Sequence, residues 1–162
     1  MVSSAAEKAL TPERIPLRIR FAKRGSLQYI SHLDLVRTFT RLLIRSGLPV
    51  WYTEGYHPIP KLTFAMSLSV GVESQSEYLD VRLVQAREPE ECRLALQAVM
   101  PPELEILEAY FPTSKFSEIA YSVYHMEIHT ETGLEGGIER LRSCLNAPQL
   151  LIEKRTKSGP KQ

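Results

Sequence analysis

Apolar and polar positions alternate from Pro16 to Ala22, with Leu17, Ile19 and Phe21 on one side and Arg18 and Arg20 on the other, which predicts a half-buried strand. Lys23-Arg24-Gly25-Ser26 then turns the chain. From Ser31 to Ser46 the period changes to that of a helix: Leu35, Val36, Phe39, Leu42 and Leu43 make an apolar stripe, opposite Asp34, Arg37, Thr38, Arg41 and Arg45. Ser31 suits the N-cap, with Asp34 three residues on as in a capping box, while Gly47 and Pro49 suit the stop. Val50 to Thr53 reads as a short strand, Glu54 to Lys61 as a proline-stiffened loop, and Leu62 to Val70 as an alternating strand. After a polar turn its hairpin partner is Tyr78 to Val84. Glu88 to Met100 is a second helix, opened by Pro89 and stopped by Pro101-Pro102, and Leu104 to Phe111 returns as a strand.

This order predicts an α+β fold: a ferredoxin-like βαββαβ unit with an antiparallel sheet over residues 14–113, preceded by a flexible leader, 1–13. Beyond it the pattern begins again with a strand Tyr121 to Thr130, a helix Glu135 to Leu145 and a strand Leu150 to Arg155. Residues 119–162 are therefore expected to be a second, incomplete ferredoxin-like unit. The Lys-Ser-Gly-Pro-Lys run reads as a hairpin turn lacking its second strand, so a longer natural chain is expected.

The chain has 162 residues, 43% of them apolar, enough for one core or two small ones. No stretch approaches the roughly 20 apolar residues of a membrane span, and Met1 to Glu13 lacks a signal peptide's apolar run, so a cytoplasmic location without membrane contact is expected. Cys92 and Cys144 stand alone within predicted helices and read as buried free thiols; no metal or other cofactor is expected. The formal net charge of +1 conceals a split. From Arg14 to Lys61 there are nine Lys/Arg against two acids, and from Leu62 to Glu153 six against fifteen. A basic face of that density can attract a polyanion at short range even in a nearly neutral protein.

The candidate chemistry lies in the basic part. His32 falls in the first helical turn, where the dipole favours an anion and a neutral imidazole, and where a general base for RNA cleavage can sit; local packing is the alternative. Arg37, Arg41 and Arg45 recur every four residues, a row roughly 12 Å long suited to phosphates along a backbone, or merely solvated, with Asp34 pairing Arg37. Tyr56, His57 and Lys61 give the loop an aromatic face, an imidazole and an ammonium, a set that can hold an unpaired nucleotide unless Tyr56 closes the core. Lys23 and Arg24 extend the basic surface. Glu73, Glu77 and Asp80 read as surface acids. No Gly-rich phosphate loop, nucleophile elbow or zinc spacing is present.

The runs YISHLDLVRTFTRLLIRSGLPV, GYHPIPKLTFAMSLSVGVES and EYLDVRL resemble the bacterial radical-SAM-linked domain of unknown function. The resemblance implies fusion to, or encoding beside, a cobalamin-type radical SAM protein, genes near ribonuclease G, and an accessory role in RNA processing or modification. It also implies a chain that continues past Gln162. The cluster chemistry would belong to the partner, because two cysteines 52 residues apart cannot supply Cys-x-x-x-Cys-x-x-Cys. Paired ferredoxin-like units are also a feature of CRISPR repeat-processing endoribonucleases, some with a histidine on the first helix, an analogy of fold alone. The expectation is thus an RNA-binding module, leaning away from an enzyme. The alternatives are a domain that docks a radical SAM protein through the acidic stretch Glu103 to Glu108 or the exposed sheet, and a metal-independent endoribonuclease using His32.

Overall fold

The computed structural model describes residues 14–129, 136–149, 154–156 and 159–161. The leader 1–13, Thr130, Glu135 and residues 150–153 of the expected second unit lie outside the described residues. The chain divides into two compact units, Met1–Ala120 and Tyr121–Gln162.

The first unit is α+β, with strands β1 (Ile15–Lys23), β2 (Leu62–Phe64), β3 (Ser74–Leu83) and β4 (Leu104–Tyr110) and helices α1 (His32–Arg45) and α2 (Pro89–Gln97). The four strands form one antiparallel sheet in the order β2-β3-β1-β4. Because β1 and β2 both run opposite to β3, they are parallel with β3 between them. Each helix therefore carries the chain across one intervening strand, α1 over β3 and α2 over β1.

The pattern of β1 explains the layering. Leu17, Ile19 and Phe21 are fully buried against Leu35, Phe39, Leu42 and Leu43 of α1 and Cys92 and Leu96 of α2. The opposite strands supply Leu79, Val81, Leu83, Leu104 and Ile106 to the same core. Phe21 is the aromatic centre, its ring 4.7 Å from Phe39 and 6.2 Å from Phe64. Such tilted and edge-on pairs add roughly 0.5–1.5 kcal/mol each beyond burial. A bulge in β4 puts Arg20 opposite Glu108 but Phe21 opposite Ile106, leaving Leu107 as the extra residue. The Ile106 N–H donates to Gln97 Oε1 of α2 at 2.7 Å, so a helix side chain satisfies a donor beside the irregularity.

The helix ends follow the sequence. Ser31 Oγ accepts from the Asp34 N–H at 3.1 Å, and the Ser31 hydroxyl donates to Asp34 Oδ2 at 2.6 Å, so Asp34 reaches the cap's hydroxyl rather than its backbone. At the other end Gly47 has φ 69°, the left-handed conformation that stops α1.

Several boundaries differ from those read in the sequence. Val50 to Thr53 makes only isolated bridges, Val50 to Leu83 and Tyr52 to Pro60. The strand expected to reach Val70 ends at Phe64, because only Leu62, Thr63 and Phe64 pair with β3. Conversely β3 begins at Ser74, since polar residues read as a turn pair with the end of β1 as far as Lys23 opposite Ser74. Cys92 is buried as expected, and burial pushes its thiol pKa up, whereas Cys144 is exposed.

In the second unit the described elements are helix α3 (Gly137–Leu145) and the strands β5 (Lys154–Thr156) and β6 (Gly159–Lys161). β5 and β6 pair antiparallel, so the hairpin that the sequence left without a second strand has one. Residues 121–129, expected as a strand, have no ladder partner among the described residues.

Candidate nucleic-acid interface

Helix α1 buries its apolar stripe and turns its polar side outward, so Arg37, Arg41 and Arg45 are all exposed, as the four-residue spacing requires. The three differ in what surrounds them. Arg37 Nη1 donates to Asp34 Oδ1 at 3.1 Å. The Ser31 hydroxyl, then Arg37, hold the Asp34 carboxyl below its ordinary pKa. Among the described residues no ion pair involves Arg41 or Arg45. Both stand toward the C-terminal half of α1, where the helix dipole favours cations.

Immediately beyond Gly47 the chain builds a projecting loop on a braced neck. The Trp51 N–H donates to Arg82 O at 2.7 Å, the Thr53 N–H to Ile59 O at 2.8 Å, and the Ile59 N–H to Thr53 Oγ1 at 3.2 Å. Arg14 reinforces the neck from the start of the sheet. Its guanidinium lies 4.1 Å from the centre of the Trp51 ring and binds Glu54 Oε1 at 2.9 Å. The pairing with Arg14 neutralises the acid of this loop. At the tip Tyr56 is 94% exposed, its ring 4.8 Å from that of His57 in an edge-on pair. Tyr56 thus does not close the core. His57, Ile59 and Lys61 are exposed as well.

Other residues of the expected surface are placed differently. Lys23 is 1% exposed, on the core side at the end of β1 rather than at the surface. Burial lowers its ammonium pKa, while Glu77 and Glu73 pull it back up. Arg24 is exposed, but its Nη1 donates to Glu105 Oε2 at 2.8 Å. Gly25, next to it, has φ 60°, and a Cβ there would meet the Glu103 side chain at 3.3 Å, while the Arg24 N–H donates to Glu103 O at 2.9 Å, so this turn packs against the residue before β4. Glu73 accepts from the Gly25 N–H at 2.7 Å, so this acid supports the same turn.

His32 is half-buried and packs edge-on to Phe64, with ring centres 5.2 Å apart. Its Nδ1 is buried and makes no hydrogen bond. Among the described residues no carboxylate or carbonyl is hydrogen-bonded to the ring, the arrangement a general-base histidine relies on. Among the described residues no group of His, Cys, Asp or Glu is placed to hold a metal ion, and no helix is long and apolar enough to cross a membrane.

Of the acids proposed for partner docking, Glu105 is engaged by Arg24, Glu108 accepts from Arg20 Nε at 3.1 Å, and Glu103 accepts from the Ser26 hydroxyl at 3.1 Å. What sequence reasoning missed is the covering of Arg18, expected on a solvent face. Its side chain is 7% exposed and bound to Asp80 beneath Phe116. The signal was weak: an outward arginine and an acid on separate strands, with a phenylalanine almost a hundred residues later.

A family model described as "Uncharacterized protein conserved in bacteria (DUF2344)" matches residues 16–162. No curated protein and no solved structure matches the chain.

Proposed function

The chain belongs to this bacterial family, DUF2344, whose description assigns no activity, and we propose that it is an RNA-binding module. The observation that carries the reading is the contrast along α1. Arg41 and Arg45 are exposed, with no acidic partner among the described residues, and the helix leads into a loop whose acid is neutralised and whose Tyr56 is 94% exposed. Arginines at that spacing suit backbone phosphates, and an exposed tyrosine suits an unstacked base. His57 and Lys61 complete the surface, Arg37 contributes through its partly compensated charge, and Lys23 falls outside it.

The strand order supports reading the first unit as ferredoxin-like, the architecture expected from the element pattern. The resemblance to radical-SAM-linked domains supports an accessory role in RNA processing or modification, beside a radical SAM protein and in the cytoplasm. Docking through Glu103 to Glu108 is weakened by the internal engagement of those acids, and cleavage through His32 by the packing of its ring.

Binding to a fluorescent pool of short single-stranded RNAs tests the reading, with Arg41→Glu/Arg45→Glu as the comparison. Loss of binding in a variant that still folds is the expected result. Equal binding by both proteins would reject the surface.

A further inference from the structure

The sheet has a second face, turned away from the helices. Alternation places Arg18 and Arg20 of β1, Tyr78 and Asp80 of β3, and Glu108 and Tyr110 of β4 on it. The segment after β4 folds back over part of this face. Phe116 lies over Arg18, 4.0 Å from guanidinium carbon to ring centre, and Ser114 O accepts from Arg18 Nη2 at 3.1 Å. Between this strap and the sheet is a cleft of about 250 Å³, whose walls include Arg18, Tyr78, Tyr110, Lys115, Phe116 and Glu118.

The lining dictates what the cleft can take. Charges cancel across it: Arg18 is neutralised by Asp80, and Lys115 faces the cleft together with Glu118. Nothing there concentrates positive field on a phosphate. Three aromatic residues, Tyr78, Tyr110 and Phe116, are among its walls, and the polar groups are of both kinds, with phenol, ammonium and guanidinium donors beside phenol and carboxylate acceptors. Burial raises the Tyr110 phenol pKa, so it remains a neutral O–H near neutral pH. The volume is below the roughly 300–1,000 Å³ of drug-sized sites, which limits the occupant to about one ring system. The floor is also fixed in advance, since Arg18 is held by two Asp80 oxygens and by Ser114.

We propose that this cleft is a binding site for a single nucleobase, a neutral planar ring carrying both donors and acceptors, stacked among Tyr78, Tyr110 and Phe116. The base can arrive in a free nucleoside or as an unpaired residue of an RNA strand. The site lies on the sheet face opposite α1 and stands independently of RNA binding by that helix.

The test is a titration of the full chain with each of the four ribonucleosides, followed by heteronuclear NMR, with inorganic phosphate as a separate titrant. At least one nucleoside is expected to shift the resonances of Tyr78, Tyr110 and Lys115, with no such response to phosphate. Tyr78→Ala is expected to weaken that nucleoside by about tenfold, as loss of one stacking partner implies. Lys115→Ala, on the exposed strap, provides a second variant if Tyr78→Ala fails to fold, and is likewise expected to weaken binding. Arg41→Glu/Arg45→Glu should leave nucleoside binding unchanged, which separates this site from the helix surface. If Tyr78→Ala also weakens a short single-stranded RNA, the base comes from a strand; if only the nucleoside is affected, it comes from the free pool. No response to any nucleoside, a response to phosphate instead, or binding unaltered by the folded cleft variants overturns the proposal.

Discussion

Arg18 and Asp80 face each other across β1 and β3 in a two-pronged ion pair, Nε to Oδ1 at 2.7 Å and Nη2 to Oδ2 at 2.8 Å. The Asp80 bond holds the guanidinium pKa above its ordinary value against the opposing effect of burial. With side-chain exposures of 7% and 25%, the pair is largely shielded from solvent, and removing one partner strands the other charge. Asp80→Ala is expected to lower unfolding free energy by about 3 kcal/mol, toward the low end for buried pairs because Asp80 keeps some water contact. Urea denaturation checks this; a loss below about 1 kcal/mol would show that the pair is no more than a surface bridge.

The N-cap of α1 gives a stability effect with a defined pH sense. Ser31→Ala is expected to cost about 1 kcal/mol at pH 7. Asp34 has a folded-state pKa below its unfolded one, so its contribution is present above the unfolded value, near 3.9, and is lost as pH falls through the folded value. Ser31 is the largest cause of that depression, so stability of Ser31→Ala should fall less steeply below pH 4 than that of the wild type. Parallel acid limbs in chemical denaturation at a series of pH values would contradict this.

Lys23 has the same pH sense in a more alkaline window. Its folded pKa is lowered, so the unfolded chain binds the proton more tightly, and stability rises with pH between the folded and unfolded values. Lys23→Met is expected to keep or raise the melting temperature at neutral pH and to reduce the rise toward pH 10. RNA affinity should be unchanged, because the side chain is 1% exposed. A weaker RNA complex with an intact fold would place Lys23 back at the interface.

His32 can be separated into its packing and its chemistry. His32→Leu removes the unbonded buried Nδ1 while keeping apolar contact with Phe64, and is expected to be neutral or stabilising. His32→Ala loses the ring contact and is expected to destabilise by about 1 kcal/mol. A cleavage assay in EDTA accompanies both: RNA cut by the wild type and spared by His32→Leu would establish the catalytic reading.

How far the fold was legible follows from the length scale of each signal. Strand β1 and helix α1 were readable because Leu17, Ile19 and Phe21, and Leu35, Phe39 and Leu42, repeat at the periods of a strand and a helix. Their caps are local too, as Ser31 and Gly47 show. The extent of β3 was not readable: Ser74 to Glu77 is polar, yet it pairs with the end of β1 as far as Lys23. Tyr121 to Thr130 alternates like a strand as well, yet residues 121–129 have no ladder partner among the described residues, and pairing is not written in one segment's own pattern. For the candidate site, spacing foretold the outward row of Arg37, Arg41 and Arg45 and the prominence of Tyr56. It did not distinguish Arg24, bound to Glu105 some eighty residues away, from Arg41. Charge compensation is a tertiary property, and the same lysine-arginine turn divides into one buried and one paired cation.

The RNA surface is tested most directly by the salt dependence of binding to a short single-stranded RNA, for the wild type and Arg41→Glu/Arg45→Glu. Three cations of the proposed surface, Arg41, Arg45 and Lys61, none of them in an ion pair among the described residues, imply a slope of log affinity against log salt near −2, at about 0.7 per phosphate contact. In the variant the slope should fall toward that of Lys61 alone, and affinity at low salt should drop by at least about tenfold. A salt-independent affinity, or the same slope and affinity in both proteins, would contradict RNA binding through α1 and its loop.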